Sequence, residues 1–421
     1  MVEKFIKRNV LNDLRLDLER KEIAFLIGPR QSGKTTLMKA LQEEVQSRGE
    51  RTIFLSLDFE YDRPYFSSQQ SLIKKLELEI GINKGFVFID EIQRKEEAGL
   101  FLKGIQDLDL PYKLIVSGSG SVDLKAEIKE SLVGRKRVYE LYSVSLTEFV
   151  NFKTDYQYEN KLVDFFAVEG LRLDSVLSEY LQFGGYPRVV LETELRDKIR
   201  TIDEIYQGYK EKDISYLLKV EKIEAFTSLI RVLAGQTGKL INYSEISNTL
   251  GISLPTLKNY LWYAENTYAV QRVPPFSRNI RKEISKSPTV YFTDLGLRNY
   301  AIGIFGWLMG PEDLGFAFQN LVFLILREKL RWSNRKIHYW RSKSGAEIDF
   351  VIDLGRGVIP VEVKYREFSH PVVPRSFSHF ILNYKPERCL VINRNLKAEL
   401  EVENSKVQFL TIWDLIETDI L

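Results

Sequence analysis

The sequence contains a single cysteine, Cys389, among its 421 residues, which excludes a disulfide framework and every cysteine-rich zinc module. Its three histidines, His338, His370 and His379, argue against a histidine-based metal site. No run of about 18 uncharged apolar residues occurs, so we expect no membrane span. The N-terminal segment carries charges where a signal peptide needs an apolar core, which predicts a cytoplasmic protein.

The sequence also lacks an excess of charge of either sign. Lys and Arg number 60 against 58 Asp and Glu, a net charge of +2, so any nucleic-acid surface has to be a local patch. Apolar residues make up 44% and aromatic residues 12% of the chain, which excludes a mostly disordered protein. Because a chain of this length exceeds what one hydrophobic core supports, we expect two to four domains.

Short apolar runs alternate with amphipathic stretches from residue 1 to about residue 150. Each run is bounded by charge, glycine or proline, as buried parallel strands are, and helical patterns fill the gaps. The predicted strands are Ile23–Ile27, Ile53–Leu57, Phe86–Ile89, Leu114–Val116 and Val138–Leu141, and the predicted helices include Thr35–Val45 and Leu100–Leu108. The alternation predicts an α/β fold with a parallel sheet built from βαβ units.

Helical periodicity replaces the strand pattern from about residue 155 to residue 235. Asn242 and Ser253 are predicted helix caps, and Gly251 between them ends a short helix, so this segment has helix-turn-helix spacing. Farther along, residues 313–330 predict one apolar helix. Three strands are predicted after it, at Lys336–Arg341, Glu347–Asp353 and Val358–Tyr365.

Residues 28–35 match the phosphate-binding pattern G-x-x-x-x-G-K-[ST] in full, directly after a predicted strand and before a predicted helix. Glycines let successive backbone N–H groups surround a β-phosphate, and the helix N-terminus adds a favourable dipole. Lys34 supplies a positive charge to the phosphates and Thr35 a hydroxyl ligand to Mg²⁺. We expect ATP and Mg²⁺ as cofactors. The predicted nucleotide-binding residues are Gly28, Pro29, Arg30, Gln31, Ser32, Gly33, Lys34, Thr35 and Thr36.

The apolar strand Phe86–Ile89 ends in two acidic residues, Asp90 and Glu91. A carboxylate at the end of a buried strand can hold Mg²⁺ through water, and Glu91 would then act as the general base that orients or deprotonates the attacking water. The strand Ile53–Leu57 lies between this motif and the P-loop, an order that fits the additional-strand class of P-loop proteins. The two motifs together predict an ATPase.

Other polar residues are candidates for the same site. Ser117 and Ser119 end the next strand, where either can hydrogen-bond the γ-phosphate or the water, or form only a polar turn. Arg135 is a candidate arginine finger, acting in cis or across the interface of a homo-oligomer, and an ordinary surface arginine is the alternative. Arg188 is a candidate nucleotide sensor from the helical region that follows.

These motifs resemble those of the prokaryotic AAA+-type ATPases that carry a C-terminal domain of unknown function. The resemblance rests on residues 28–36, Phe88–Gln93, Gly118–Ser121, Gly134 with Arg135, and Gly184–Pro187, and it extends to Phe350 and Glu362–Lys364. It implies an ATPase core over residues 1–155 and a helical lid over residues 156–221. It further implies a winged helix over residues 222–300 and a restriction-endonuclease-like fold over residues 301–421.

Asp349, Glu362 and Lys364 are similar to the D…E-x-K core of that nuclease fold. The strand period of two places Glu362 and Lys364 on one face, and Asp349 on the neighbouring strand would complete a carboxylate pair for Mg²⁺. The preceding helix offers Gln319 and Asn320 where active members carry a glutamate, and neither amide is charged. The cluster is therefore either a nuclease site or the polar face of a retained, inactive fold.

Thr256, Lys258 and Asn259 would be exposed on the second helix of the helix-turn-helix, and their types suit contacts to bases or phosphates. Arg278 and Arg281 lie in a basic segment beyond that helix. We predict nucleic-acid binding, with DNA favoured, and a solvated surface or a protein contact is the alternative.

The leading hypothesis is an Mg²⁺-dependent ATPase that binds or remodels nucleic acid. An ATP-regulated, metal-dependent nuclease is the first alternative. The second is a nucleotide-switched protein-interaction module with an inactive nuclease fold.

Overall fold

The computed structural model describes residues 5–120, 124, 126, 130–211, 223–279, 283, 286–307 and 310–420. A sheet of five strands, all parallel, forms the N-terminal unit, and its order β2-β3-β4-β1-β5 inserts β4 between β1 and β3. The α/β prediction with a parallel sheet is thereby confirmed. The elements of this unit are α1 (Val10–Asp17), β1 (Ile23–Gly28), α2 (Lys34–Ser47), β2 (Thr52–Ser56), α3 (Gln69–Glu79), β3 (Gly85–Asp90), α4 (Ala98–Gln106), β4 (Tyr112–Ser119) and β5 (Lys136–Glu140).

Helices cover both faces of this sheet, so the central strands β1, β3 and β4 are buried along their whole length. Along β1, Ile23 and Phe25 face one hydrophobic cluster, whereas Ala24 and Leu26 face the other. A strand buried on both faces needs apolar residues at every position. That requirement is why the sequence shows continuous apolar runs here instead of alternation.

A helical segment follows the sheet, and a second group of helices with a small antiparallel sheet comes after it. The predicted caps are confirmed: the side chains of Asn242 and Ser253 accept hydrogen bonds from the backbone N–H groups of Glu245 and Thr256, and Gly251 is left-handed. The elements are α5 (Leu146–Lys153), α6 (Leu162–Val168), α7 (Gly170–Phe183), α8 (Pro187–Leu191), α9 (Leu195–Gly208), α10 (Ile223–Gly235), α11 (Tyr243–Leu250), α12 (Leu254–Asn266), β6 (Val270–Val273), β7 (Thr289–Phe292) and α13 (Leu295–Ala301).

A mixed sheet of six strands, in the order β12-β13-β11-β10-β9-β8, forms the C-terminal unit. The predicted strands 336–341 and 347–353 are confirmed, while the third ends at Val363, two residues early, because the backbone turns back from Lys364 to Arg366. Its elements are α14 (Pro311–Lys329), β8 (Lys336–Arg341), β9 (Glu347–Asp353), β10 (Val358–Val363), α15 (Arg375–Tyr384), β11 (Arg388–Asn393), β12 (Ala398–Val402), β13 (Ser405–Thr411) and α16 (Ile412–Glu417). Throughout the described residues, no helix combines the length and the apolar character that crossing a membrane requires.

One hydrophobic cluster extends across several of these units. It contains Phe149 of α5 and Leu177 of α7, Phe318 of α14, and Phe350 and Leu390 of the C-terminal sheet. The segments predicted as lid and as C-terminal unit therefore share a core.

Candidate nucleotide-binding site

The P-loop, residues 29–33, connects the end of β1 to the beginning of α2. Gly33 is the N-cap of α2 and has a φ of +93°, a left-handed conformation that explains the glycine at this position. The buried Lys34 ammonium donates hydrogen bonds to the carbonyl oxygens of Gly28 and Pro29, at 3.1 and 2.8 Å. The lysine charge therefore lies inside the loop, beside the helix N-terminus.

The first turn of α2, directly after the P-loop, and the end of β4 are joined to the acidic end of β3 by hydrogen bonds between side chains. Thr35 Oγ1 donates to Asp90 Oδ2 at 2.8 Å, and the Ser117 hydroxyl donates to Asp90 Oδ1. The register of the parallel sheet explains this meeting, because the carboxyl ends of β1, β3 and β4 lie at one edge. A hydroxyl and a carboxylate side by side form the all-oxygen donor set that Mg²⁺ prefers, so the residues present fit the ion.

Glu91 follows directly and has a left-handed backbone, with a φ of +58°. Its N–H donates to Ser117 Oγ at 3.3 Å. Its carboxylate accepts a hydrogen bond from the side-chain amide of Gln93, whose own oxygen accepts from the Ser119 N–H at 3.0 Å. Ser119 thus contributes its backbone N–H to the site. Gln93 was missed as a site residue, although it ends the Asp-Glu-Ile-Gln motif.

Arg188 reaches the P-loop from the helical segment, as the sensor hypothesis requires. Its Nη1 donates to Gln31 Oε1 at 3.1 Å, and its Nη2 pairs with Glu204 at 2.8 Å. Pro187, the first residue of α8, lies next to Gly33. The helix α8 therefore lies against the P-loop, with an arginine at the contact.

The glycines before α8 permit a close crossing of three chain segments. A Cβ on Gly185 would lie 2.2 Å from the carbonyl oxygen of Val144, and Gly184 has a φ of +70°. The Asp294 carboxylate accepts hydrogen bonds from the N–H groups of Gly185 and Leu297, at 2.8 and 2.9 Å. Burial raises the pKa of Asp294 above its usual value. The Gly-Gly pair is thus explained by backbone approach, and the aspartate that meets it lies 109 residues away.

Arg135 lies away from the P-loop of its own chain, contrary to the hypothesis of an arginine finger that acts in cis. It precedes β5, whose first residue pairs with Ile23 at the start of β1, so it lies at the edge of the sheet opposite the P-loop. Its guanidinium pairs with Asp107 at 2.5 Å. The structure does not bring Arg135 to the P-loop of its own chain, because five residues of strand separate the two edges. A role across a subunit interface stays a prediction.

Arg8 supports the P-loop and was also missed. The buried guanidinium donates to the Ser32 carbonyl oxygen at 3.0 Å and pairs with Glu148 at 2.9 Å. It also donates to the carbonyl oxygens of Tyr142 and Ser143. Nothing local in the sequence distinguishes this arginine, because its partners lie 24 to 140 residues away.

The C-terminal cluster brings together the predicted residues Asp349, Glu362 and Lys364. Lys364 Nζ pairs with Glu362 at 2.7 Å, and Asp349 accepts from the Val363 N–H at 2.7 Å and from Gln319 Nε2 at 2.8 Å. Burial, reinforced by the Glu362 carboxylate, raises the pKa of Asp349 to about 8, and burial also raises the pKa of Glu362. Asn320 instead bonds the backbone of Phe292.

Two features of that cluster bear on metal binding. Where active nucleases of the predicted fold carry a glutamate, Gln319 directs an N–H donor at Asp349. Among the described residues, no group of three or more His, Cys, Asp and Glu side chains could hold a metal ion. The nuclease hypothesis therefore rests on two carboxylates and a lysine.

The predicted DNA contacts lie on two separate elements. Lys258 and Asn259 are exposed on α12, while Thr256, near its first turn, is partly buried and bonds Ser253. Arg278 is exposed and lies over the ring of Tyr384, in the C-terminal unit. Arg281 lies outside the described residues.

Comparison with known proteins gives three family matches. Residues 20–150 match the family described as AAA domain, residues 174–307 a domain of unknown function (DUF8612), and residues 314–415 a domain of unknown function (DUF4143). The last match agrees with the C-terminal domain of unknown function that the resemblance implied. It gives no information on nuclease activity.

Two relatives illustrate the similarity. The chain is 27% identical over 353 residues to the uncharacterized protein MJ1544 of Methanocaldococcus jannaschii, covering 82% of this chain and 76% of the relative. It is 24% identical over 418 residues to an uncharacterized protein of Haemophilus influenzae, covering 97% and 98%. The solved structure of AMPPCP-bound DnaA from Aquifex aeolicus is 17% identical to this chain, with 62% of this chain and 90% of that chain covered, and the TM-score is 0.25. Residues 20–150, with their P-loop and acidic strand end, are thus similar to the family described as AAA domain.

Proposed function

We propose that this protein hydrolyses ATP to ADP and phosphate in an Mg²⁺-dependent reaction. The observation that carries the proposal is the hydrogen bond from Thr35 Oγ1 to Asp90 Oδ2, with Glu91 next in the chain. It places the phosphate-binding loop and the acidic strand end within one hydrogen bond of each other. The proposed metal ligands and the proposed base therefore lie at the same edge of the sheet as the P-loop.

The residues divide the work according to their chemistry. The Lys34 ammonium, now bonded to two carbonyl oxygens, exchanges them for phosphate oxygens when nucleotide binds. Glu91 accepts the proton of the attacking water. Thr35 and Asp90 would hold Mg²⁺, Asp90 through water, and the ion when bound neutralises charge on the phosphate oxygens.

Steady-state ATP hydrolysis of the wild type and two variants tests this proposal. Glu91→Gln keeps the side-chain shape but removes the base, so we expect kcat to fall by about 10²–10⁴-fold with ATP still bound. Lys34→Ala should abolish nucleotide binding, because the phosphates lose their positive partner. The matched control is Glu96→Gln, an exposed glutamate of the same segment. Equal kcat values for Glu91→Gln and the wild type would contradict the proposal.

We further propose that the predicted winged helix, residues 222–300, binds DNA. The supporting observation is that α11 and α12 are joined by a three-residue turn and followed by the antiparallel pair β6–β7, with Lys258 and Asn259 exposed on α12. The same hydrolysis assay with duplex, single-stranded and branched DNA tests it. One DNA form should stimulate hydrolysis, and Lys258→Ala should weaken that stimulation while Lys74→Ala, on α3, should not. Hydrolysis that is indifferent to every DNA form would favour the protein-interaction alternative.

The nuclease alternative is tested on the same samples by gel electrophoresis. It requires strand cleavage that survives Lys34→Ala and is lost in Asp349→Ala. We expect the DNA to stay intact, because the Gln319 amide donates a hydrogen bond to the Asp349 carboxylate that a metal ion would need as a ligand.

A further inference from the structure

Gln93 forms a bridge between the proposed base and the end of the neighbouring strand. Its amide nitrogen donates to Glu91 Oε2, and its amide oxygen accepts from the Ser119 N–H at 3.0 Å. A carboxylate only accepts and a backbone N–H only donates, so a single orientation of the amide satisfies both partners. The Gln93 amide therefore has one defined orientation, with its nitrogen toward Glu91 and its oxygen toward Ser119.

The surrounding backbone is shaped to admit this side chain. Gln93 lies in a single 3₁₀ turn, Ile92–Arg94, that begins directly after Glu91. A Cβ on Gly118 would lie 3.2 Å from Gln93 Oε1 and 2.3 Å from the side chain of Leu124. The absence of a side chain at Gly118 leaves β4 open to the glutamine at the position beside Ser119.

We propose that Gln93 is a positioning residue that holds the Glu91 carboxylate for catalysis. It fixes Oε2 against the end of β4, which leaves Oε1 to accept a hydrogen bond from the attacking water. A base that is misplaced by about 1 Å can lose about 10²-fold in rate. This inference rests on the proposed ATPase function and adds the residue that orients its base.

The simpler role for Gln93 is to tie the 3₁₀ turn to β4 through the Ser119 N–H. The two roles respond differently to Gln93→Glu. A glutamate has the same length and still accepts from the Ser119 N–H, so a tether survives the change. It cannot donate to Glu91 and places a like charge beside it, so a positioning role is lost.

The experiment measures kcat, KM for ATP and the melting temperature of the full chain carrying Gln93→Ala or Gln93→Glu. We expect both variants to lose about 10–100-fold in kcat with KM changed less than about twofold, because only the base is disturbed. Gln42→Ala is the control, since that glutamine also donates to a side chain, Thr52 Oγ1 at 3.0 Å, away from the P-loop. It should leave kcat unchanged.

Several results would overturn the inference. Gln93→Glu with wild-type kcat would reduce Gln93 to a tether, and a raised kcat in Gln93→Ala would make it a restraint on the base. A loss confined to KM would place its effect on nucleotide binding. If the wild type hydrolyses ATP, Glu91→Gln does not, and Gln93→Ala matches the wild type, this inference alone fails. If the wild type itself is inactive, the proposed function fails and takes the role of Gln93 with it.

Discussion

The fold shifts the pKa of individual buried side chains away from their ordinary values. Asp349 is the clearest case, because burial and then the nearby Glu362 carboxylate raise its pKa to about 8 from an ordinary value of 3.8. The folded chain thus holds the proton more tightly than the unfolded chain does. The stability that this proton contributes is complete below about pH 4 and is lost as the pH rises toward 8.

A change of Asp349 to asparagine should therefore alter the pH dependence of stability. The variant is neutral at every pH, so we expect the melting temperature of the variant minus that of the wild type to become more positive between about pH 4 and about pH 8. The asparagine accepts only one of the two hydrogen bonds that Asp349 accepts, which is a loss of stability that does not depend on pH. For one group the slope is at most about 1.4 kcal/mol per pH unit. Thermal denaturation across that range measures it, and Asp174→Asn, exposed on α7, is the control. A difference between variant and wild type that stays constant from about pH 4 to about pH 8 would refute the expectation.

Among the secondary-structure elements, the strongest constraint lies where the segment before α8 crosses the segment before α5. The Val144 N–H donates to the Gly185 carbonyl oxygen at 2.7 Å, so neither segment can move away from an added side chain without breaking this hydrogen bond. Asp294, at the beginning of α13, holds Gly185 from the other side. Two adjacent glycines are needed because a Cβ on Gly184 would meet the backbone of Gly296 and a Cβ on Gly185 would meet the backbone of Val144.

Gly185→Ala should for this reason destabilise the protein by about 2–4 kcal/mol, as overpacking against fixed backbone does. Chemical denaturation measures the free energy of unfolding. Gly235→Ala is the matched control, because a Cβ at this last residue of α10 meets nothing within 4 Å. It should be neutral or stabilising by up to about 1 kcal/mol. Equal effects at the two glycines would mean that the crossing is not rigid.

The whole molecule is held together by contacts that cross its units. The cluster that joins α5, α7, α14 and the C-terminal sheet is one of them. The end of α14 and the residues just after it also touch the N-terminal unit. Arg331 donates to the Glu140 carbonyl oxygen at 2.6 Å, and Glu328 accepts from Asn9 at 3.1 Å. Tyr268, between α12 and β6, fits directly against Gly120 after β4.

Removal of residues 308–421 should therefore also destabilise the part of the chain that remains. The apolar faces of α5 and α7 lose their partner Phe318 and its neighbours, so we expect fragment 1–307 to melt at lower temperature and to bind an apolar dye. Calorimetry and dye fluorescence, each compared with the full chain, measure this. A fragment with an unchanged, cooperative transition would show that the shared core contributes little.

The sequence by itself determined the parallel α/β sheet, the helix caps, the P-loop and the acidic strand end. Each of these depends on residues close together in the chain: an apolar run buried on both faces, a cap three residues from its partner, or a glycine where the backbone is left-handed. The sheet prediction and the Asn242 and Ser253 caps were confirmed for that reason.

Only the tertiary structure decided which distant residues meet. It placed Arg135 at the edge of the sheet opposite the P-loop, because Arg135 directly precedes β5 and β5 runs parallel to β1. It joined Arg8 to Ser32, Asp294 to Gly185 and Gln93 to the Ser119 N–H. Such hydrogen bonds depend on separations of a few ångströms between segments 24 to 109 residues apart. No local pattern encodes those separations, since the packing of the whole chain sets them.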